Sequence, residues 1–187
     1  MKQRLFMMVG APGTGKSTFV LNNMKEDFIY ISRDEIRYSL LEEGDDYFAK
    51  ERKVFNEFIL RINEAIMWDD YPNIIIDATH LTKASRAKVL KRLATVDEIR
   101  AMVMTTPLEV ALERNAKREG RTRVPDDVIK SMYNSFELPT KEEGFDSIAY
   151  INENGIAERV VQLWYILLLT PNEYQKLKIH LKYFSIL

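Results

Sequence analysis

Short runs of apolar residues recur along the chain, and longer amphipathic stretches separate them. The apolar runs are rich in Ile, Val, Met and Phe and lack the alternation of polar and apolar positions that marks a strand with one solvated face. They therefore predict strands that are buried on both faces of a sheet. The predicted strands are residues 5–9, 28–31, 74–76, 99–104 and 148–151.

The amphipathic stretches carry apolar residues at helical spacing, so they predict helices that cover the sheet. Strands and helices then alternate along the chain, an order typical of a mostly parallel sheet with helices on both faces. The sequence thus predicts an α/β fold of three layers. The predicted helices are residues 17–24, 47–68, 84–93, 108–118 and 128–136.

The C-terminal part of the chain has a different pattern. Asn154-Gly155 is a turn signal, residues 156–169 are strongly apolar, and a capping box then opens a final amphipathic stretch. These features predict a main α/β domain over 1–153 and a C-terminal helical extension over 154–187. The extension is expected either to pack on the sheet as a cap or to form an interface with another subunit, as in a homo-oligomer, or with a further domain.

Composition narrows the classes of protein and of site. The 187 residues include 27 Lys and Arg against 28 Asp and Glu, so nucleic-acid binding would need a local basic surface rather than bulk charge. With no cysteine and two histidines, disulfides, thiol nucleophiles and thiolate zinc sites are excluded. The longest apolar run, 163–169, is far shorter than a membrane span, and no signal peptide is recognised. We therefore expect a cytoplasmic protein without membrane contacts.

A phosphate-binding loop follows the first predicted strand and precedes the first predicted helix. Residues 10–17 match the pattern G-x-x-x-x-G-K-[ST] in full. Its glycines let backbone N–H groups point at phosphate oxygens, Lys16 adds a positive charge for the β- and γ-phosphates, and Ser17 offers a hydroxyl to Mg²⁺. The predicted nucleotide-binding residues of this segment are Gly10, Ala11, Pro12, Gly13, Thr14, Gly15, Lys16, Ser17 and Thr18.

The segment after the third predicted strand favours a kinase over an ATPase that drives motion or a GTPase. It reads Ile-Ile-Ile-Asp-Ala-Thr over 74–79, so Asp77 can help to hold Mg²⁺, whereas Ala78 offers no base to activate water. The Asn-Lys-x-Asp pattern that reads guanine is absent from the sequence. Both features predict a small kinase that uses ATP, in which an acceptor hydroxyl takes the place of water.

Asp34 and Arg37 follow the second predicted strand. In an open parallel sheet the carboxyl ends of the strands line the ligand crevice, so Asp34 is placed to accept the proton of an incoming hydroxyl. Arg37 lies one helical turn further on and can pair with Asp34 or hold an acceptor phosphate. From spacing alone, a helix cap by Asp34 with a surface ion pair is an equal alternative.

Four arginines surround a predicted turn at Gly120, between two predicted helices. They suit a lid near 114–125 that closes over the triphosphate and brings positive charge to the transferring phosphoryl group. The four residues are Arg114, Arg118, Arg121 and Arg123. The alternative is a solvated helix end, where arginines are favoured by the helix dipole.

Over residues 3–152 the sequence resembles the polynucleotide 5′-hydroxyl kinases of the phage and bacterial end-healing type, small P-loop kinases related to the AAA_33-like ATPases. The resemblance rests on an ordered set of motifs rather than on the phosphate loop alone. These motifs are 10–18, Arg33-Asp34-x-x-Arg37, 77–81, Arg114-Asn115-x-x-Arg118, the similar stretch 124–133, and Glu142-Glu143-Gly144-Phe145-Asp146.

The resemblance implies a role for each matched residue. Lys16 and Arg118 would act on the donor phosphates, and Arg114 would be a further nucleotide-binding residue. Asp34 would be the general base for the 5′-hydroxyl, and Arg37 would hold the acceptor phosphate. The implied acceptor residues are Asp34, Arg37 and Thr79, the implied metal residues are Ser17 and Asp77, and the implied catalytic residues are Lys16, Asp34, Arg37 and Arg118. In the phage relative the acid of the third strand comes one residue later and contacts the acceptor arginine, so Asp77 is expected to serve Mg²⁺ instead. His80 is read as a polar loop residue.

These inferences predict an ATP- and Mg²⁺-dependent kinase that acts on the 5′-OH end of DNA or RNA in nucleic-acid repair, without the 3′-phosphatase of the phage enzyme. Two alternatives remain open. One is a kinase of a nucleoside, sugar or antibiotic, which the near-neutral net charge favours. The other is a non-catalytic binding module switched by ATP, in which Asp34 and Arg37 would be idle.

Overall fold

The computed structural model describes residues 2–68 and 71–162, which form a six-stranded sheet flanked by helices. The order across the sheet is β2-β3-β1-β4-β5-β6; β1 to β5 run parallel and β6 is antiparallel to β5. The strands are β1 (Arg4–Val9), β2 (Phe28–Ser32), β3 (Asn73–Asp77), β4 (Glu98–Met104), β5 (Ser147–Ile151) and β6 (Ala157–Gln162).

The helices alternate with the strands up to β5, as the sequence predicts. They are α1 (Lys16–Asn23), α2 (Arg33–Leu40), α3 (Glu51–Trp68), α4 (Lys83–Leu90), α5 (Leu108–Ala116) and α6 (Asp126–Asn134), with short 3₁₀ turns at Gly120–Thr122 and Lys141–Glu143. Among the helices of the described residues, none combines the length and apolar character needed to cross a membrane.

The alternation of side chains along β1 divides the core into two layers. Leu5, Met7 and Val9 point into a layer built with α2, α3 and α4, whereas Met8 points into a smaller layer that contains Val20 of α1. Burial of a large apolar side chain contributes about 1.5–3 kcal/mol to the stability of the fold. The central strands are thus apolar on both faces, which explains the continuous apolar runs in the sequence.

The register of the strands brings the candidate site residues to one edge of the sheet. Met8 of β1 lies opposite Asp77 of β3, and Asp77 lies opposite Ser32 of β2. Because these strands are parallel, the segments that follow them meet at their carboxyl ends. The phosphate loop, the start of α2 and the segment after Asp77 are therefore neighbours.

A buried ion pair links α4 to the segment before β5. Arg86 and Glu143 are fully enclosed, and the guanidinium donates two hydrogen bonds of 2.7 and 2.9 Å to the carboxylate. Arg86 also donates to the main-chain oxygens of His80, Leu81 and Glu137. The motif at 142–146 therefore contributes a structural ion pair, and breaking such a pair typically costs about 3–5 kcal/mol.

The predicted α/β fold is confirmed, and each of the five predicted strands lies within one residue of its observed bounds. The prediction of a helical extension from 154 is wrong for its first part, because Ala157–Gln162 forms β6 and pairs with β5. Asn152 and Gly155 close the connecting turn, where Gly155 adopts a positive φ of 76°. The predicted helix and interface over 163–187 lie outside the described residues.

Candidate active site

The phosphate loop has a conformation that requires two of its glycines. Gly13 and Gly15 have φ values of 83° and 93°, in the left-handed region that side chains other than glycine rarely adopt. A Cβ at Gly13 would lie 2.3 Å from the main-chain oxygen of Ala111, and a Cβ at Gly15 would lie 3.2 Å from Arg114 Nη1. The loop thus packs closely against α5, and Gly15 caps α1.

Hydrogen bonds from three other segments hold the loop in place. Gly10 N donates to Thr79 O at 2.9 Å, and Thr106 Oγ1 donates to Thr14 O at 2.7 Å. Thr106 is supported in turn by Tyr133, whose hydroxyl donates to Thr106 O at 2.8 Å. The loop is therefore fixed to the ends of β3 and β4 and to α6.

Lys16 lies in the cradle of this loop. Its Nζ donates hydrogen bonds to Gly10 O at 2.9 Å and to Ala11 O at 3.1 Å. Burial lowers the pKa of Lys16, while the nearby carboxylates of Asp77 and Asp34 oppose this effect. The ammonium thus stands between the loop and the two acids that the sequence singles out.

Ser17 and Asp77 are in contact, as expected of two residues that would bind one metal ion. Ser17 Oγ donates to Asp77 Oδ2 at 3.1 Å, and the same oxygen accepts a hydrogen bond of 2.7 Å from the hydroxyl of Tyr30. Burial and the adjacent Asp77 raise the pKa of Tyr30, so its hydroxyl stays protonated and remains a donor. In the described part of the structure Asp77 forms no hydrogen bond or ion pair with Arg37, in keeping with the prediction that it serves the metal.

The oxygen ligands present suit Mg²⁺ bound together with a nucleotide. Mg²⁺ prefers hard oxygen donors and usually takes only one or two from the protein when it binds substrate phosphates. Ser17 and Asp77 supply a hydroxyl and a carboxylate next to the phosphate loop. Within the described ranges, no cluster of three or more acidic, His or Cys side chains forms an independent metal site.

Asp34 projects from the first turn of α2 toward solvent. Ser32, and not Asp34, caps this helix, because Ser32 Oγ accepts a hydrogen bond from Glu35 N. The side chain of Asp34 is 67% exposed, and its Oδ1 accepts hydrogen bonds from Arg37 at 2.6 Å and from the Tyr47 hydroxyl at 2.8 Å. The helix cap proposed for Asp34 is therefore wrong, whereas the pair with Arg37, which both interpretations include, is confirmed.

Arg37 is held by more partners than the sequence indicates. Its Nη2 donates to Glu51 at 2.6 Å, its Nη1 donates to Asp34 and Tyr47, and its guanidinium stacks 4.4 Å from the centre of the Tyr47 ring. The side chain is only 6% exposed. Its Nε is buried and has no hydrogen-bond partner among the described residues. Arg37 thus fixes Asp34 from a buried position.

The lid segment, 114–125, is anchored at its base. Asn115 is fully buried and bonds in both directions with the main chain of Val124, at 2.6 and 3.0 Å. The side chain of Arg118 is exposed, and among the described residues its one hydrogen bond is a long one of 3.5 Å to Thr122 O. The positive charge of Arg118 contributes to lowering the pKa of Lys16. The predicted lid arginine thus projects from a braced loop within electrostatic reach of Lys16.

Arg114 and His80 have structural contacts. Arg114 Nη2 donates to Glu153 O at 2.7 Å, while its Nη1 lies against Gly15. His80 is buried at a φ of 46°, and its Nδ1 lies 2.8 Å from Met8 O. Burial lowers the pKa of His80 to about 4, so the ring is neutral. His80 is therefore a buried residue of the loop after β3.

Comparisons with known proteins agree with this geometry. Residues 5–139 match the model of the AAA_33 family, described as an AAA domain. The chain belongs to this family. The AAA domain match covers the phosphate loop, Asp34, Asp77 and the lid, and it ends before β5.

Relatives of this AAA domain include named kinases. The chain is 27% identical over 155 residues, 79% of its length, to a "Putative bifunctional polynucleotide phosphatase/kinase" of Acanthamoeba polyphaga mimivirus, of which it covers 32%. It is 27% identical over 152 residues, 76% of its length, to an L-seryl-tRNA(Sec) kinase of Methanococcus maripaludis, of which it covers 56%. The chain thus spans less than two thirds of either relative.

A solved structure shares the fold. A chain of the Pnkp1/Rnl/Hen1 RNA repair complex superposes with a TM-score of 0.62 at 23% identity, over 72% of this chain and 44% of the other. Together with the family match, this likeness shows that the fold is that of a P-loop kinase.

Three residues of the site escape the sequence motifs. Tyr30, Tyr47 and Glu51 contact Asp77, Asp34 and Arg37 and lie up to 47 residues away from them in sequence. A signal exists only for Tyr30, which shares one face of β2 with Ser32 because side chains alternate along a strand. The contacts predicted for the side chain of Thr79 remain a prediction.

Proposed function

We propose that this protein transfers the γ-phosphoryl group of ATP to the 5′-OH end of DNA or RNA, in the healing of nucleic-acid ends. The observation that carries the proposal is the exposed carboxylate of Asp34, held by Arg37 and Tyr47 next to the phosphate loop. A hydroxyl acceptor needs such a base beside the donor phosphates, and the position of Asp34 supports this role for it.

The reaction assigns a separate task to each charged residue. Asp34 accepts the proton of the 5′-hydroxyl as its oxygen forms a bond to the γ-phosphorus. The bond from that phosphorus to the β–γ bridging oxygen breaks, and its electron pair leaves with ADP. Lys16 stabilises the charge that grows on the β- and γ-phosphate oxygens, and Arg118 adds positive charge when the lid segment closes.

Ser17 and Asp77 would hold Mg²⁺ at this site, with Tyr30 fixing the carboxylate of Asp77 by its hydrogen bond. When bound, the ion would neutralise the β- and γ-phosphate oxygens and favour an in-line geometry. The role of Tyr30 is to keep one carboxylate oxygen oriented toward Ser17 and the loop.

The polynucleotide acceptor has support from two sides. The chain carries the ordered motifs of the polynucleotide 5′-hydroxyl kinases, and the name of the mimivirus relative includes polynucleotide kinase. Asp34, with Arg37 behind it, stands at the open end of the sheet, where an extended acceptor can enter without crossing the core. An acceptor phosphate that uses Arg37 must compete with Asp34 and Glu51.

That competition favours a second candidate function, a kinase of a small hydroxyl compound without a phosphate. Two carboxylates already neutralise the guanidinium of Arg37, so an uncharged acceptor would leave the observed ion pairs intact. The catalytic residues would be the same, and only the acceptor would differ.

A transfer assay with γ-labelled ATP decides between the two candidates. The acceptors are a 5′-OH DNA oligonucleotide, the same sequence in RNA, nucleoside 3′-phosphates, nucleosides, sugars and aminoglycosides. Label on the oligonucleotides and the nucleoside 3′-phosphates, with little on the compounds that carry no phosphate, is the expected result. Label only on a nucleoside, sugar or aminoglycoside would overturn the polynucleotide proposal.

A further inference from the structure

We infer that a cluster of three cations around the ring of Phe55 binds the phosphodiester backbone of the acceptor strand, a short distance from its 5′ end. This Phe55 cluster consists of Arg33, Lys88 and Arg92 together with the ring. The inference rests on the proposed function and adds a second substrate contact, outside the residues that perform the transfer.

The three cations converge on one aromatic ring from α2, from α4 and from the segment after α4. Lys88 Nζ lies 4.4 Å from the ring centre of Phe55, and the guanidinium carbons of Arg33 and Arg92 each lie 5.5 Å from it. Arg33 opens α2, Phe55 belongs to α3, Lys88 belongs to α4, and Arg92 follows α4. The cluster therefore forms only when the chain folds, because Arg33, Phe55 and Lys88 are far apart in the sequence.

Only one of the three charges is neutralised. Arg33 forms an ion pair with Glu51, whereas Lys88 and Arg92 have no carboxylate partner in the part of the chain that the structure describes. Both are exposed, and Arg92 is tied to α4 by a 2.8 Å hydrogen bond from its Nη1 to Lys88 O. Like charges at this spacing repel one another, and the ring face offsets that repulsion only in part. An anion placed between Lys88 and Arg92 would relieve it.

A single side chain connects this cluster to the candidate base. Glu51 pairs with Arg33 through one carboxylate oxygen and with Arg37 through the other, and Arg37 holds Asp34. The cluster therefore begins one ion pair away from the acceptor site. A strand whose 5′-hydroxyl reaches Asp34 can lay its next phosphates along the N-terminal turns of α3 toward α4.

The chemistry of the cluster fits a chain of phosphates. Arginine and lysine side chains supply most phosphate contacts in nucleic-acid complexes, and such contacts carry affinity without reading the base sequence. The ring of Phe55 is itself buried beneath the cations, so it supports them and does not stack on a base. The net charge of −1 means that this affinity must come from a local site such as this one.

The test compares two double variants that remove the same charge from the full chain. Lys88→Gln with Arg92→Gln neutralises the cluster, and Lys25→Gln with Lys130→Gln is the matched control at two exposed lysines elsewhere. Binding of a fluorescent 5′-phosphorylated oligonucleotide of about 20 nucleotides is measured by anisotropy over a range of salt concentrations. Acceptor KM is measured for the 5′-OH form of the same oligonucleotide and for a nucleoside 3′-phosphate.

The cluster variant is expected to bind the oligonucleotide about tenfold more weakly at low salt. The slope of the logarithm of the binding constant against the logarithm of the salt concentration should be shallower by about 1.4. Each phosphate contact removed from a single strand reduces this slope by about 0.7. KM should rise for the oligonucleotide and stay within about twofold for the nucleoside 3′-phosphate, which is too short to reach the cluster. The control variant should match the wild type.

Equal affinity and salt dependence in the two double variants would overturn the inference, as would failure of the wild type to bind the oligonucleotide. If poly-glutamate of equal charge competes for binding as strongly as the unlabelled oligonucleotide does, the inference is overturned in favour of an acidic peptide as the ligand. A wild type that binds the oligonucleotide through the cluster but phosphorylates only small compounds would overturn the proposed function and leave the binding site standing.

Discussion

Arg37 donates a hydrogen bond of 2.6 Å to Asp34 from a side chain that is only 6% exposed, so a buried cation orients an exposed carboxylate. Glu51 and Tyr47 hold the same guanidinium from its other sides. Arg37 and Tyr47 thus hold one oxygen of Asp34, and Glu51 holds Arg37 in place. This arrangement separates two tasks, proton transfer by Asp34 and positioning by the residues behind it.

Asp34→Asn tests the proton-transfer task. The amide keeps the size of the side chain but cannot accept the hydroxyl proton, so kcat should fall by about two to four powers of ten while acceptor KM changes little. Steady-state kinetics with a 5′-OH oligonucleotide provide the measurement. Glu35→Gln makes the same chemical change at the next exposed position and should retain wild-type kcat. A similar loss in both variants would contradict a specific role for Asp34.

Arg37→Ala distinguishes an acceptor contact from pure positioning. If the guanidinium also reaches the acceptor phosphate, KM should rise for nucleoside 3′-phosphates and hardly change for bare nucleosides, because the lost contact exists only in the former. Paired acceptors with and without the phosphate provide the comparison. Equal effects on both acceptors would show that Arg37 only orients Asp34, and would remove its support for a polynucleotide acceptor.

Tyr30→Phe tests the metal site. The hydroxyl of Tyr30 donates to Asp77 at 2.7 Å, and a hydrogen bond to a carboxylate contributes about 1.5 kcal/mol, so the Mg²⁺ concentration for half-maximal activity should rise by about tenfold. Calorimetry of ATP binding over a range of Mg²⁺ concentrations should show the same shift toward higher Mg²⁺. Tyr71→Phe, before β3 at the opposite edge of the sheet, is the control. An unchanged Mg²⁺ requirement would mean that Asp77 does not serve the ion.

Arg118→Ala tests the lid segment. An arginine acting on the transferring phosphoryl group can be worth about a thousandfold or more in kcat, whereas its exposed position predicts no loss of stability. Turnover and the urea midpoint are measured together, with Lys117→Ala as the adjacent exposed control. Unchanged turnover in Arg118→Ala would favour the alternative, in which Arg118 lies at a solvated helix end and does not act on the phosphates.

His80 should make the stability of the protein depend on pH. Burial lowers its pKa to about 4 from 6.5, so the folded state favours the neutral ring and unfolding takes up a proton in this window. The resulting stability is present above pH 6.5 and is lost as the pH falls toward 4.

Replacement by Asn, which tolerates a positive φ, isolates this effect. Between about pH 7.5 and about pH 5, the wild type should lose about 2 kcal/mol more unfolding free energy than His80→Asn, as measured by urea denaturation. Parallel pH profiles for the two proteins would contradict the burial of a neutral ring.

The sequence predicted the features that local chemistry encodes. The apolar runs located β1 to β5, and the glycines at 13 and 15 located the phosphate loop, since no other residue suits their backbone. The contacts of Tyr30 with Asp77 and of Glu51 with Arg37 escaped prediction because they depend on sheet register and on where α3 begins. The apolar stretch 156–169 predicts a helix where Ala157–Gln162 forms a strand, because the stretch has no period that distinguishes a helix from a strand.

The most direct test of the account is the fate of label from γ-labelled ATP on one oligonucleotide offered in two forms, with a 5′-hydroxyl and with a 5′-phosphate. Lys16→Ala serves as the inactive reference. The account predicts label on the 5′-hydroxyl form alone, recovered after nuclease digestion as a labelled nucleoside 5′-phosphate, and no label with Lys16→Ala. Absence of label from the 5′-hydroxyl oligonucleotide, while the same enzyme labels a small hydroxyl compound, would contradict it.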